Sequence, residues 1–261
     1  MKLIFNTKAM VARRKRFADV SSSHYFLLEE IYKLLLEKIS GNFTDVLNLG
    51  AHRGEILLAL KDAPYLRFEN ITHLDMCDEM LKYVRGEKIV VADDNFDLGV
   101  RKFDLVISGM FLHHVNNLVD VFSCIHETLK PDGICVASLF GPETLSELKQ
   151  AIFNAEMDLG FVPRVSPFIH IKDAGRLLQR VGFSVPVVAS EKIVVEYSSV
   201  MKLFDDIHAT AQSGAMFGID YGLSTRRTID RIIKEYERLS NGQIKATFEI
   251  VILTALKKEK I

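Results

Sequence analysis

Five short apolar runs, Val46–Leu49, Ile71–Asp75, Ile89–Ala92, Leu105–Ser108 and Ile134–Phe140, alternate with amphipathic stretches near 54–61, 77–84 and 117–129. Runs of this kind read as strands and the stretches between them as helices. Strand–helix alternation with short connections demands a parallel sheet covered on both faces, because a parallel neighbour is reached only through a crossover. The first run breaks at Gly50, Gly54 opens the next helical pattern, and the second run ends on Asp75. That is the layout of a nucleotide-type site at a sheet edge. The loop lets backbone approach a ligand, the helix start offers free N–H groups, and the acid accepts from ribose hydroxyls. The glycines equally suit a plain turn, and Asp75 equally suits a cap on the following helix. Ala51-His52 also stands where a middle glycine is expected.

The flanks extend the pattern. Leu27, Leu28, Ile31, Leu34 and Leu35 predict a helix over 22–39, and Lys130-Pro131-Asp132-Gly133 predicts a turn between a helix and the fifth strand. Beyond Phe140 come a helix at 142–157, a loop with Pro163 and Pro167, a helix at 172–181, a strand-rich Val185–Tyr197, helices at 200–212 and 224–239, and a β-branched run Ile244–Leu256. One domain over 1–261 is expected. It divides into a helical cap (1–40), a core (41–140), helical insertions over the sheet edge (141–170 and 198–240) and a final strand (244–257).

A net charge of −1 gives no field that favours nucleic acid. Cys77, Cys124 and Cys135 form no CxxC pair, so neither a disulfide framework nor a metal site is expected, and a reducing cytoplasm suits them. No apolar run reaches the roughly 20 residues that span a bilayer. Asp93 and Asp94 follow the third strand, where an acid can accept from an adenine amine or cap a helix. His113-His114 follow the fourth strand, where one can line a pocket or simply pack. Arg13-Arg14-Lys15-Arg16 can hold an acidic partner, although a solvated helix face is the plainer reading.

Three strings, Asp104-Leu105-Val106-Ile107-Ser108, Leu112-His113-His114-Val115 and Leu129-Lys130-Pro131-Asp132-Gly133, resemble the core of class I S-adenosylmethionine-dependent methyltransferases. The resemblance implies an α/β, Rossmann-like fold with a seven-stranded, mostly parallel sheet whose last strand is antiparallel. It implies S-adenosyl-L-methionine as cofactor and S-adenosyl-L-homocysteine as product. Gly50, Ala51, His52 and Gly54 would face the amino-acid part, Asp75 the ribose and Asp93 the adenine, with Met76, Asp94, Ser108 and His113 completing the pocket.

Ile4-Phe5-Asn6, Ala12 through Arg16, Phe140 through Leu145 with Glu147-Leu148, Ser166-Pro167-Phe168, Asp173 through Leu178 and Ala246 through Ile250 resemble the complex I assembly factor 5 family. That family is methyltransferase-like, and its mitochondrial members hydroxylate an arginine of a respiratory complex I subunit. Arg16-Phe17 with His24-Tyr25, and again Phe140–Leu148, resemble the malonyl-acyl-carrier-protein O-methyltransferase of biotin synthesis. The chain is thus read as a bacterial, cytoplasmic relative acting as a methyltransferase on a protein or carrier-bound carboxylate. An arginine hydroxylase or complex I assembly factor, a malonyl-carrier methyltransferase, and a non-catalytic binding module with a degenerate loop stay open. A free carboxylate needs alignment rather than a base, and Arg164, with Arg176 in reserve, is the candidate to grip it. Tyr25 is placed as a cap, and Arg13–Arg16 suits an acidic carrier protein. Asn48, standing where the family commonly has aspartate, removes a charge beside the cofactor.

Overall fold

The strands are β1 (Gly41–Leu49), β2 (Leu66–Asp75), β3 (Glu87–Val90), β4 (Phe103–Ser108), β5 (Leu129–Phe140), β6 (Ser184–Tyr197) and β7 (Ile244–Leu256). They form one sheet in the order β3-β2-β1-β4-β5-β7-β6. The computed structural model describes residues 3–19, 24–92, 97–158, 164–210, 216 and 226–258. Six strands run parallel, and β7 is antiparallel to both of its neighbours, β5 and β6. The mostly parallel sheet with an antiparallel last strand is the one the motifs implied.

The central strands are apolar throughout because both faces are covered. Val46, Leu105, Ile107, Val136, Ile250 and Ile252 enter one core, whereas Leu47, Val106, Cys135, Ala137, Val251 and Leu253 enter the other. The alternation follows from the two-residue period of a strand. Helices α2 (Phe26–Leu36), α3 (Ile56–Ala59), α6 (Ser146–Glu156), α8 (Val200–Ala209) and α9 (Arg226–Ser240) supply residues to the first core. The second core takes α5 (Leu118–Thr128) and α7 (Ile171–Val181). Two helices remain at the edge of these cores, α1 (Thr7–Arg16) and α4 (Asp78–Leu81). Among the described residues no helix is long and apolar enough to cross a membrane.

Several predicted elements are shorter than the periodicity suggests. The helix near 54–61 is four residues followed by a 3-10 turn, Leu60–Asp62, and the one near 77–84 spans Asp78–Leu81. The helix expected over 22–39 covers Phe26–Leu36, with 20–23 outside the described residues. Lys130–Gly133 does not separate helix from strand; it lies inside β5 as an irregularity. Register jumps from Phe103↔Leu129 to Leu105↔Ile134, with Asp132 at φ 58. Pro131 has no N–H to give the ladder, so the strand bulges there rather than stopping.

Strand order reverses between β1 and β4, which opens a crevice at their C-terminal ends. The loops that leave β1 and β4 are therefore where a ligand of this sheet would meet the chain.

Candidate functional site

Gly50 closes β1 at φ +73, and its N–H and that of Ala51 both donate to the Leu74 carbonyl, at 2.8 and 2.9 Å. A Cβ on Gly50 would lie 2.2 Å from Cβ of Phe111, so no other residue fits there. Gly54 sits at φ +89 against Val84. Between them His52 adopts φ 49, a left-handed conformation unusual for a histidine. This turn aims the His52 N–H at Asp75 Oδ2, 3.0 Å away. Asp75 itself is fully buried at the end of β2, and its Oδ1 accepts from the Cys77 N–H at 2.9 Å.

The remaining donor to Asp75 comes from the N-terminal helix. Arg14 Nη2 donates to Asp75 Oδ2 at 2.8 Å and lies 2.9 Å from His52 Nδ1. A guanidinium only donates, so His52 Nδ1 accepts and the imidazole proton sits on Nε2. That nitrogen is 3.1 Å from the Gly109 carbonyl, on the loop after β4. Burial, reinforced by the Arg14 charge, pushes the His52 pKa down to about 4, so the ring is neutral at pH 7. His52 thus spans the crevice from one loop to the other. The reading of the whole Arg13–Arg16 cluster as a solvated face is overturned at Arg14, which is buried.

Tyr32 of α2 closes the crevice from the other side, since a Cβ on Gly109 would meet its ring at 2.6 Å. Its hydroxyl donates to Asn48 Oδ1 at 3.2 Å, and the Asn48 amide stands 3.2 Å from His73 Nδ1. Burial lowers the His73 pKa to about 4, so the neutral ring can accept from the amide. An aspartate at position 48 would have nothing to donate. Neither Tyr32 nor Phe111 carries a sequence signal for this role beyond an apolar helix pattern and an apolar loop position.

The other candidates scatter. Ala51, Met76 and Ser108 are buried around the crevice. His113 sits in an aromatic cluster, 4.7 Å from the Phe140 ring and 6.1 Å from that of Phe168, and His114 meets Phe5 edge-on at 5.5 Å. Asp93 and Asp94 lie outside the described residues. Tyr25 is buried under the Arg53 guanidinium, 5.4 Å from its ring centre. Arg176 is exposed on α7, pairs with Asp173, and is not among the cavity-lining residues.

Arg164 lines a cavity of about 750 Å³, but its Nε and Nη2 bond Glu156 Oε1 at 2.9 and 2.5 Å. The cavity walls include Phe140, Leu148, Ile152, Phe168 and Phe248. Arg13 and Arg16 of α1 line it too, as do His24 and Asp206, which pair at 2.6 Å. Ser166 also lines it, and its buried Oγ has no hydrogen-bond partner among the described residues. Asp206 is the one carboxylate among the described lining residues.

Comparison with known proteins agrees with the fold. A family described as a methyltransferase domain matches residues 47–137. The mitochondrial arginine-hydroxylase NDUFAF5 of Homo sapiens is 32% identical over 247 residues, covering 89% of this chain and 70% of that protein. The malonyl-[acyl-carrier protein] O-methyltransferase of Methylovorus sp. (strain MP688) is 31% identical over 270 residues, covering 95% and 89%. Among solved structures, a putative methyltransferase from Bacillus halodurans superposes with a TM-score of 0.59 at 15% identity, over 88% of this chain and all of that one. Phosphoethanolamine N-methyltransferase 2 from Haemonchus contortus, in complex with S-adenosyl-L-methionine, gives 0.54 at 15% identity, over 94% of this chain and 60% of that one.

An S-adenosyl group does not fit the crevice as arranged. The Asp75 carboxylate is fully buried, and Arg14 donates to its Oδ2 at 2.8 Å, where a ribose hydroxyl would have to donate.

Proposed function

The chain belongs to the class I S-adenosylmethionine-dependent methyltransferase family, and from that premise we propose that it receives an anionic group, a carboxylate on an apolar chain presented by a protein or carrier-protein partner. The observation that carries this reading is the 750 Å³ cavity, with its phenyl and aliphatic walls and Arg13 and Arg16 among its lining. Apolar walls favour an acyl or aliphatic chain, and the half-buried Arg13 and exposed Arg16 supply the positive charge that attracts an anion. Ser166 Oγ adds a buried hydroxyl that a carboxylate oxygen can engage. A guest arginine, the substrate class suggested by the name of the human relative, would meet the like charges of Arg13 and Arg16. The lining therefore favours the carboxylate of the carrier-protein methyltransferases over that alternative.

The test is calorimetric. Octanoate is expected to bind and octylamine not to, and Arg16→Glu should weaken octanoate at least tenfold. Equal binding of acid and amine, or indifference to Arg16→Glu, overturns the proposal. Complementation of a biotin-requiring strain, with complex I assembly scored in parallel, separates the two kinds of protein partner.

A further inference from the structure

We infer that α1 is a detachable latch on the crevice, with Arg14 on Asp75 as an internal occupant of the place a ribose diol would take, so that an adenosyl ligand binds only when the helix lifts. Four contacts close the latch: Arg14 to Asp75 at 2.8 Å, Arg14 to His52 Nδ1 at 2.9 Å, the His52 N–H to Asp75 at 3.0 Å, and His52 Nε2 to Gly109 at 3.1 Å. They join the N-terminal helix, the loop after β1, the end of β2 and the loop after β4. Everything that defines the crevice is thereby tied to one arginine.

The same helix is weakly built into the rest of the molecule. Of the ten residues of α1 only Met10 and Arg14 are buried, whereas α2 buries five of its eleven. Met10 packs in a small cluster with Phe5 and Met216, and Ala18, just beyond the helix, packs in another with Cys77 and Met80. Both clusters are separate from the two main cores, which α1 reaches, among the described residues, through the half-buried Val11. Further ties include the Asn116 side chain, whose Oδ1 accepts from the Ile4 and Phe5 N–H groups at 2.8 Å each, the edge-on contact of Phe5 with His114, and Lys15, which pairs with Asp78 and Glu79 at the surface. A segment with few apolar contacts opens at a free energy far below that of global unfolding.

Lifting α1 would leave a competent site. Asp75 keeps its two backbone donors, His52 N–H on Oδ2 and Cys77 N–H on Oδ1, so it stays oriented while the lone pair of Oδ2 that Arg14 held becomes available. Gly50 and Gly54 already hold the positive φ that lets backbone approach a ligand. An adenosyl ligand and Arg14 therefore compete for one carboxylate, and the measured affinity is the intrinsic one reduced by the fraction of open protein.

Native-state hydrogen exchange on the full-length wild type is the first measurement. The amides of residues 11–16 should exchange at least 100-fold faster than those of α2; equal protection of the two helices overturns the latch. The second uses S-adenosylhomocysteine as the probe in equilibrium binding. Arg14→Ala with His52→Gly should bind it at least tenfold tighter than wild type, and Arg14→Lys should not. A folded double variant that binds no better than wild type overturns the inference as well. α1 also carries Arg13 and Arg16 of the cavity, but these measurements read amide opening and S-adenosylhomocysteine binding, so their failure is distinguishable from failure of the octanoate test.

Discussion

Arg14 and Asp75 form a buried ion pair, with side chains 8% and 0% exposed, and its worth can be isolated by a double-mutant cycle with Arg14→Met and Asp75→Asn. Removing the arginine leaves a carboxylate that still accepts two backbone N–H bonds but has no counter-charge. It also strips His52 Nδ1 of its donor. Breaking a buried pair typically costs about 3–5 kcal/mol. The lower figure is expected here, because α1 buries little else and water reaches Asp75 once Arg14 is gone. Asp75→Asn strands the guanidinium at a similar cost. In the double variant neither charge remains, so the two losses should fail to add by at least about 2 kcal/mol. Urea unfolding of the four proteins at pH 7.5 reads this directly from the midpoints at constant slope. In 1 M salt the coupling should persist, since a buried pair is poorly screened. A coupling below about 0.5 kcal/mol would show that Arg14 does not rest on Asp75 in solution, and the latch would fall with it.

The buried histidines set a pH dependence. Burial lowers His52 and His73 to about 4 and His114 to about 3, all below the ordinary value of 6.5. Their contribution is full above pH 6.5 and is lost as pH falls toward 4, because the unfolded chain takes up protons the native state refuses. Glu55 opposes them: burial raises it to about 7, so its contribution is full below 4.5 and is lost as pH rises through 7. Three protons against one leave a net loss of stability, on the order of a few kcal/mol, as pH falls from 6.5 to 4.5. Urea midpoints from pH 7.5 to 5 should fall accordingly, and a flat profile would contradict the neutral histidines. Gly141→Ala should cost about 1–3 kcal/mol in the same assay, because its Cβ would lie 2.4 Å from Cδ of Glu249, whose carboxylate accepts from Glu143 N–H and the Ser190 hydroxyl. Gly175→Ala, inside α7 with only ordinary contact to Val188 at 3.6 Å, should instead gain about 0.5–1 kcal/mol. Arg176→Ala should leave stability within about 0.5 kcal/mol and octanoate binding unchanged.

The sheet was readable because its strands are buried on both faces. Val46, Leu47 and Leu49 announce a strand without any alternation, and β7 falls on the predicted Ile244–Leu256. Helix lengths were less legible, since an amphipathic run such as 54–61 does not reveal that Gly54 at φ +89 delays the helix to Ile56. In the crevice, the glycines and Asp75 are marked by turn chemistry and by strand ends. The partner of Asp75 is not, because it lies 61 residues away and no local pattern encodes that contact. One clue existed: Met10 and Arg14 are four apart, so a helix that buries the methionine turns that arginine inward with it. The guanidinium of Arg164 suits a carboxylate, but the buried Glu156, eight residues earlier, already engages it. Arg176 pairs with Asp173, three residues earlier, on a helix face that points to solvent.

The position of β7 has a kinetic side. It is the last strand in the chain, yet it lies between β5 and β6 and pairs with both along most of its length. During synthesis β5 therefore waits as an open edge, and β6 has no neighbour in the sheet, until β7 is made. Unpaired edges of this kind invite association with other chains. The exposed stretch is long-lived because its partner is distant in sequence, and late non-local pairing is slow. Expression losses from C-terminal truncation should thus appear as aggregation of nascent chains, well before any effect on the finished fold is measurable.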